Sequence, residues 1–267
     1  VPHRPIGSDW RQVVTDRHVI LVLGGTGEAR ELAGELDAAG VHVTSSLAGR
    51  VSRPRLPAGT VRIGGFGGPD GLAKWLRERG VVAVVDATHP FAERISASAA
   101  AACTRANVPL LRLQRPGWNE GPEDDWHWVA DLEQAAGTIS SLGERVMLTT
   151  GRQGLPAFAD VSDAWFLVRC VEQPQPPLPP RHELLLDRGP YTLDGELALM
   201  DEHQIELVIT KDSGGTLTEA KLQAARTRGL PVIVVRRPPR PDVASVATVA
   251  ESLTWSLERE RERESAE

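Results

Sequence analysis

Residues 20–29 read ILVLGGTGEA, an apolar run that breaks at once into glycines and then into a helix start. A strand followed by such a turn presents free backbone N–H groups to an anion, and the helix dipole adds to the attraction. Gly25 and Gly27 carry no side chain, so a pyrophosphate can approach the backbone beside Thr26 and Glu28. The turn departs from GxGxxG, because counting from Gly25 the last glycine is replaced by Arg30. A tight strand-to-helix turn without a ligand would use the same residues. The end of the second strand then decides the nucleotide. An NAD site places Asp or Glu there for the ribose 2′-OH. This chain has Thr44-Ser45-Ser46-Leu47-Ala48-Gly49-Arg50, with no acid. Hydroxyls such as that of Ser46, with the guanidinium of Arg50, suit a 2′-phosphate, so NADP is expected over NAD.

Three further segments place reactive side chains at strand ends. DATHPFA, residues 86–92, follows the fourth strand and would present Thr88 and His89 beyond it, with Pro90 opening a helix. His89 in that position can donate a proton, hydrogen-bond a ribose, or simply cap and pack. TTGR at 149–152 and TKDSGG at 210–215 occupy equivalent turns farther along. Lys211 and Asp212 stand side by side before Ser213, Gly214 and Gly215, more charge than a plain turn requires. Arg94, Arg152 and Arg169, with Thr150 and Gly151, are candidates for a wall that meets carboxylates.

These segments require a scaffold of repeated strands and helices, and the pattern supplies one. From His18, short apolar runs alternate with helical stretches such as GEARELAGELDAAG, where Leu32 and Leu36 lie four apart before Gly40. Short connections between such units imply parallel sheets with helices on both faces. Prolines and charges crowd residues 115–125, which places a junction there: a dinucleotide-binding lobe at 18–114 and a second α/β lobe at 115–258 closing a cleft. The fold class expected is α/β, two Rossmann-like lobes, each a mainly parallel sheet flanked by helices. Residues 172–180, EQPQPPLPP, read as an exposed loop, 243–258 as the closing helix, and the charged end from 258 as frayed.

Composition narrows the partners. The 267 residues are 41% hydrophobic and 25% charged, the balance of a globular chain, and the net charge of −6 gives no reason to expect nucleic acid. An anionic small substrate fits if the cleft is locally basic. Cys103 and Cys170 lie in segments expected to be buried and lack CxxC or HxxxC partners, so neither a disulfide nor a metal site is expected. No apolar run approaches the ~18 residues of a membrane helix. Residues 1–16 hold prolines and charges and read as a loose leader rather than a signal peptide, and the expected location is cytoplasmic.

Taken together, GGTGEA, SLAGR, DATHPFA, RPGW at 115–118, TTGR and TKDSGG occur in the order found in precorrin-6A reductases, and the chain resembles that family from about residue 18 to 237. The resemblance implies reduction by NADPH of one double bond in precorrin-6A, a polycarboxylate tetrapyrrole macrocycle, giving precorrin-6B in cobalamin biosynthesis. It also implies a hydride delivered to one ring carbon and a proton to its neighbour. On that footing Gly25, Thr26, Gly27 and Glu28 hold the pyrophosphate and nearby ribose, Ser46 and Arg50 the 2′-phosphate, and Thr88 and His89 line the cleft. Ser213, Gly214 and Gly215 close over the nicotinamide side, and Lys211, Asp212 or water supplies the proton. Arg94, Thr150, Gly151, Arg152 and Arg169 meet the substrate. Two rivals remain: an S-adenosylmethionine-dependent methyltransferase of the same pathway, disfavoured by the missing acid after the second strand, and a non-catalytic NADP sensor. Oligomeric state stays open.

Overall fold

The computed structural model describes residues 18–49 and 56–265, so the leader at 1–16 and Arg50 lie outside the described residues. The first lobe runs β1 (Val19–Leu23), α1 (Gly27–Ala38), β2 (His42–Leu47), β3 (Thr60–Ile63), α2 (Gly68–Glu78), β4 (Val81–Asp86), α3 (Glu93–Ala106) and β5 (Leu110–Leu113). The second runs β6 (Trp126–Val129), α4 (Leu132–Thr138), β7 (Arg145–Leu148), β8 (Trp165–Cys170), β9 (His182–Leu186), α5 (Leu193–Glu202), β10 (Leu207–Lys211), α6 (Ala220–Arg228) and β11 (Val232–Val235). Two elements follow, β12 (Ser245–Val246) and α7 (Val249–Glu264).

Each lobe is built on a six-stranded sheet whose paired strands are all parallel, in the orders β12-β5-β4-β1-β2-β3 and β6-β11-β10-β7-β8-β9. The reason lies in the strands: β1, β4, β10 and β11 are nearly continuous runs of buried Val, Ile and Leu, as a strand covered on both faces requires. On the first sheet, α1 and α7 cover one face through a cluster that includes Leu32, Leu36 and Leu253, while α2 and α3 cover the other through Leu72, Leu76 and Ala99. The second sheet is covered by α4 on one side, with Ile139 and Phe158 beyond it, and by α5 and α6 on the other. The chain reverses direction across each sheet at one place, between β1 and β4 in the first and between β7 and β10 in the second. Crevices at the carboxyl ends of such reversals are where open α/β sheets bind ligands.

The end of the chain departs from the sequence reading. Residues 243–258 are not one helix: β12 adds to the outer edge of β5, with Ser245 opposite Arg112 and Val246 opposite Leu113. Helix α7 starts only at 249, where Thr248 and Glu251 form a reciprocal capping box. It continues to 264, so the charged stretch from 258 is helical rather than frayed, braced by Arg259 pairing with Glu262 at 2.8 Å. The second sheet is therefore complete at β11, and the chain that reads as its last helix belongs to the first sheet instead of extending the second lobe to 258. A two-residue strand carries no period that a sequence can display.

Candidate active site

At the first reversal, Leu23 ends β1 and Thr26 caps α1, its hydroxyl accepting from the Ala29 amide at 3.1 Å and donating to the Ala87 carbonyl at 2.8 Å. That second bond ties the glycine turn to the segment after β4. Gly25 has φ +119° with open space where a side chain would stand, so the backbone there is both glycine-specific and approachable. The amide end of α1 faces the same space. Ser46 is buried and its carbonyl accepts from Gly24 at 3.0 Å. Its neighbour Ser45 keeps a buried hydroxyl without a partner, so the end of β2 holds hydroxyls and no acid.

The segment after β4 is organised by Asp86, which is fully buried. It accepts from the Thr88 hydroxyl at 2.6 Å and the Ser96 hydroxyl at 2.5 Å, and the guanidinium of Arg240 stands 3.8 Å away. Thr88 is therefore spent on Asp86 and fixes the shape of the crevice rather than pointing into it. His89 points to the other lobe. Its Nδ1 accepts from the Phe91 amide at 3.2 Å, which leaves the proton on Nε2, 3.1 Å from the Ser213 hydroxyl. Burial, together with the positive charges of Arg115, Lys211, Arg240 and Arg237, pushes its pKa down to about 3. At neutral pH His89 is an uncharged hydrogen-bond donor.

At the second reversal the TKDSGG turn meets the linker at 115–118. Gly214 and Gly215 have φ +65° and +71°. A Cβ on Gly214 would strike the Pro116 carbonyl, and one on Gly215 would stand 2.7 Å from Arg115 Cδ. Arg115 Nε donates to the carbonyls of Ser213 at 2.8 Å and Gly214 at 3.0 Å, while its Nη1 pairs with Glu28 at 2.8 Å. One arginine thus joins the turn of the second lobe to the first turn of α1. Asp212 accepts from the Trp118 amide at 3.1 Å and pairs with Arg237 at 3.0 Å, so its carboxylate braces the turn. Lys211 is half-buried with its ammonium 5.2 Å from the centre of the Phe91 ring, and burial lowers its pKa.

The expected substrate residues divide. Thr150 is buried with an unpartnered hydroxyl beside Gly151 at φ +75°, next to the second reversal. Arg152 pairs with Glu172 at 3.3 Å. Arg169 is buried, held by both oxygens of Glu196 at 2.5 and 3.2 Å, with its guanidinium 3.8 Å from the Tyr191 ring centre. It supports a loop instead of facing the cleft. Arg94 is exposed on the first turn of α3. Sequence reasoning missed Arg115, Arg237 and Arg240: Arg115 joins the two lobes, Arg240 donates from the second connecting segment to the His89 carbonyl, and Arg237 braces Asp212 and the Arg115 carbonyl. The available signal was arginine beside proline in both crossing segments, RPGW and RRPPR at 236–240.

Known proteins are similar to this chain in sequence and fold. The family model for "Precorrin-6x reductase CbiJ/CobK" matches residues 19–256. A precorrin-6A reductase of Rhodococcus erythropolis is 53% identical over 238 residues, covering 88% of this chain and 96% of the relative. Another, from Mycobacterium tuberculosis, is 51% identical over 239 residues with the same coverage. The solved structure "CobK precorrin-6A reductase" superposes with a TM-score of 0.86 at 40% identity, covering 91% of this chain and 97% of that one.

Proposed function

We propose, from the premise that the chain belongs to the precorrin-6x reductase CbiJ/CobK family, that it reduces precorrin-6A to precorrin-6B in cobalamin biosynthesis with NADPH as the reductant. The observation that carries the site assignment is the joining of the two strand-reversal crevices by Arg115, so that a ligand held at one is within reach of the other. A nicotinamide dinucleotide fits the first crevice: the space beside Gly25 at the amide end of α1 is open, and a buried hydroxyl at Ser45 lacks a partner. Bound there, the nicotinamide supplies the hydride.

The chain's own residues do the rest. Gly25, Thr26 and Gly27 hold the pyrophosphate against the helix end. Glu28 in that first turn would repel a phosphate, and Arg115 offsets it. Ser46 and Arg50 take the 2′-phosphate, which makes the preference NADPH over NADH. Ser213, Gly214 and Gly215 close over the nicotinamide side, and neutral His89 orients the Ser213 hydroxyl. Asp212 is committed to bracing, so Lys211 is the group that delivers the proton at the carbon next to the reduced one. Its burial makes it a stronger acid than a free lysine. Thr150, Gly151, Arg152 and Arg94 border the macrocycle, with Arg169 supporting from behind.

The test is the fall in NADPH absorbance on adding precorrin-6A, with NADH as control. Decay that needs both protein and macrocycle, and runs faster with NADPH, is the expected result. Arg50→Ala should weaken NADPH binding at least tenfold while leaving NADH binding within about twofold, a loss of roughly 1.4 kcal/mol or more. Nucleotide binding with no macrocycle-dependent oxidation would leave the sensor reading standing in its place.

A further inference from the structure

The segment between β11 and β12 carries three arginines and three prolines in six residues, Arg236-Arg237-Pro238-Pro239-Arg240-Pro241. Each proline fixes its own φ and pushes the residue before it toward extended backbone. Arg237, Pro238 and Arg240 all precede a proline, so the run is a stiff spacer, advancing about 3.1 Å per residue where extended. Its two ends grip different lobes. Arg236 lies over the Trp128 ring at 5.0 Å, and its amide donates to the Val129 carbonyl at 2.9 Å. Arg237 pairs with Asp212 at 3.0 Å and donates to the Arg115 carbonyl at 2.9 Å. Arg240 reaches the first lobe, and beside it Arg112 of β5 donates to the Pro241 carbonyl at 2.9 Å.

The Arg240 side chain is only 6% exposed. Its Nη2 donates to the His89 carbonyl at 2.5 Å and its Nη1 stands 3.8 Å from Asp86, while among the described residues Nε and Nη1 make no hydrogen bond. A guanidinium with N–H groups left over is costly to bury, and an apolar side chain would fill the same space at less cost. Packing alone therefore does not account for an arginine here. What it holds does. The His89 carbonyl, which also accepts from the Ala92 amide at 2.8 Å, is anchored twice, and Asp86 fixes Thr88 on the residue before. The remaining freedom of His89 is the swing of its ring, which the Phe91 amide on Nδ1 restrains. Backbone and ring are then both held, with Nε2 placed 3.1 Å from the Ser213 hydroxyl. One stiff segment thus grips both partners of the His89–Ser213 bridge, Ser213 through its neighbour Asp212.

We propose that Arg240 is a positioning residue for the reduction: it sets the His89 imidazole against Ser213, and the 236–241 segment fixes the spacing of the two across the lobe junction. The inference rests on the reductase reading above, in which the Ser213–Gly215 turn closes over the nicotinamide side. Arg240 acts through His89 and Ser213 and not on a reacting atom. A hydride donor and its acceptor must be held close and aligned, and a displacement of about 1 Å at the reacting centre costs roughly a hundredfold in rate. Loss of Arg240 therefore shows in the chemical step, not in the binding of either ligand.

The experiment compares the full-length wild type with Arg240→Met, Arg240→Lys and Arg240→Ala. Arg240→Met should lower kcat for precorrin-6A reduction by roughly tenfold to a hundredfold. Its KM for precorrin-6A and Kd for NADPH should stay within about twofold of the wild type, the pattern left by losing an interaction that serves the transition state. Arg240→Lys should fall between the two, and guanidinium ion added below denaturing concentrations should restore part of kcat to Arg240→Ala. By NMR, the His89 Nε2 proton should give a slowly exchanging signal in the wild type that is lost in Arg240→Met. Arg228→Met, which removes an exposed guanidinium paired with Asp201 at 2.6 Å, should change none of these. Should Arg240→Met lack a cooperative melt, Asp86→Asn/Arg240→Met removes the carboxylate left uncompensated, and it should melt cooperatively and still lose kcat. A folded Arg240→Met or double variant with kcat within about twofold of the wild type would overturn the positioning role and leave the reductase standing. A wild type that never oxidises NADPH with precorrin-6A would overturn the reductase reading. In that case the His89 signal still decides the anchoring: its survival in Arg240→Met overturns it, and its loss upholds it.

Discussion

His89 shows how far a side chain's chemistry depends on neighbours that no local motif contains. As a free histidine it would carry a proton half the time near pH 6.5. Here it is buried near four cations, Arg115, Lys211, Arg237 and Arg240, all of which come from the linkers and the second lobe. The DATHP segment marked it as a candidate at a strand end, but its charge state was not legible, because those cations lie far off in sequence. The consequence for stability has a definite sign. The folded pKa of about 3 lies below the unfolded value, so between about pH 6.5 and 3 the unfolded chain binds a proton that the folded chain does not. Stability from this group is full above pH 6.5 and declines as the pH falls, by a few kcal/mol across the window. His89→Gln should therefore lose less melting temperature between pH 7 and pH 5 than the wild type does. The wild-type imidazole should show no titration by NMR above about pH 5; a midpoint near 6.5 would refute the buried, neutral assignment.

The strand-turn-helix units were largely readable from sequence because buried parallel strands are continuous apolar runs closed by glycine, a signal that survives without tertiary knowledge. TKDSGG was readable as a turn with unusual charge. What it touches was not: Gly214 and Gly215 are glycines because the 115–118 linker passes directly over them, and the two segments are about a hundred residues apart. Gly214→Ala combines a left-handed φ of +65° with a Cβ placed 2.5 Å from Arg237 Nη2 and against the Pro116 carbonyl. It should destabilise the protein by roughly 2–4 kcal/mol and sharply reduce turnover. Gly40→Ala, also at positive φ but with open space around it, should cost only about 1–2 kcal/mol and leave turnover intact. Equal melting temperatures for the two variants would show that the linker yields and that the close approach is not a constraint. Arg169 marks the opposite limit of reading. An arginine at a strand end looks available for a carboxylate, and only the fold reveals that Glu196, a full helix away, has taken it.

At the scale of the molecule, two lobes are held by a chain that crosses between them twice, at 114–125 and again at 236–244. The second crossing was not legible, since its strand is two residues long and gains its meaning from β5. It brings α7 onto the first sheet, where Leu253, Trp255 and Leu257 pack with Leu32 and Leu36 of α1, and where Ser252 and Ser256 are fully buried. Ending the chain at residue 243 retains every proposed cofactor residue yet strips that cover from α1. The shortened protein should show no measurable NADPH binding and a lower or absent cooperative melt; NADPH affinity equal to that of the full chain would mean that the helix is dispensable to the first crevice.

The return of the chain to β5 also dictates an order of assembly. On the ribosome, residues 18–113 emerge before the second lobe and carry most of the first, but β5 is then an exposed edge strand, ready to pair with another copy. That edge closes only when residues 245–246 arrive, after the whole second lobe has been made. The first lobe is thus the first to start folding and the last to finish, and a nascent chain stalled between the two crossings would be the aggregation-prone species in the life of this enzyme.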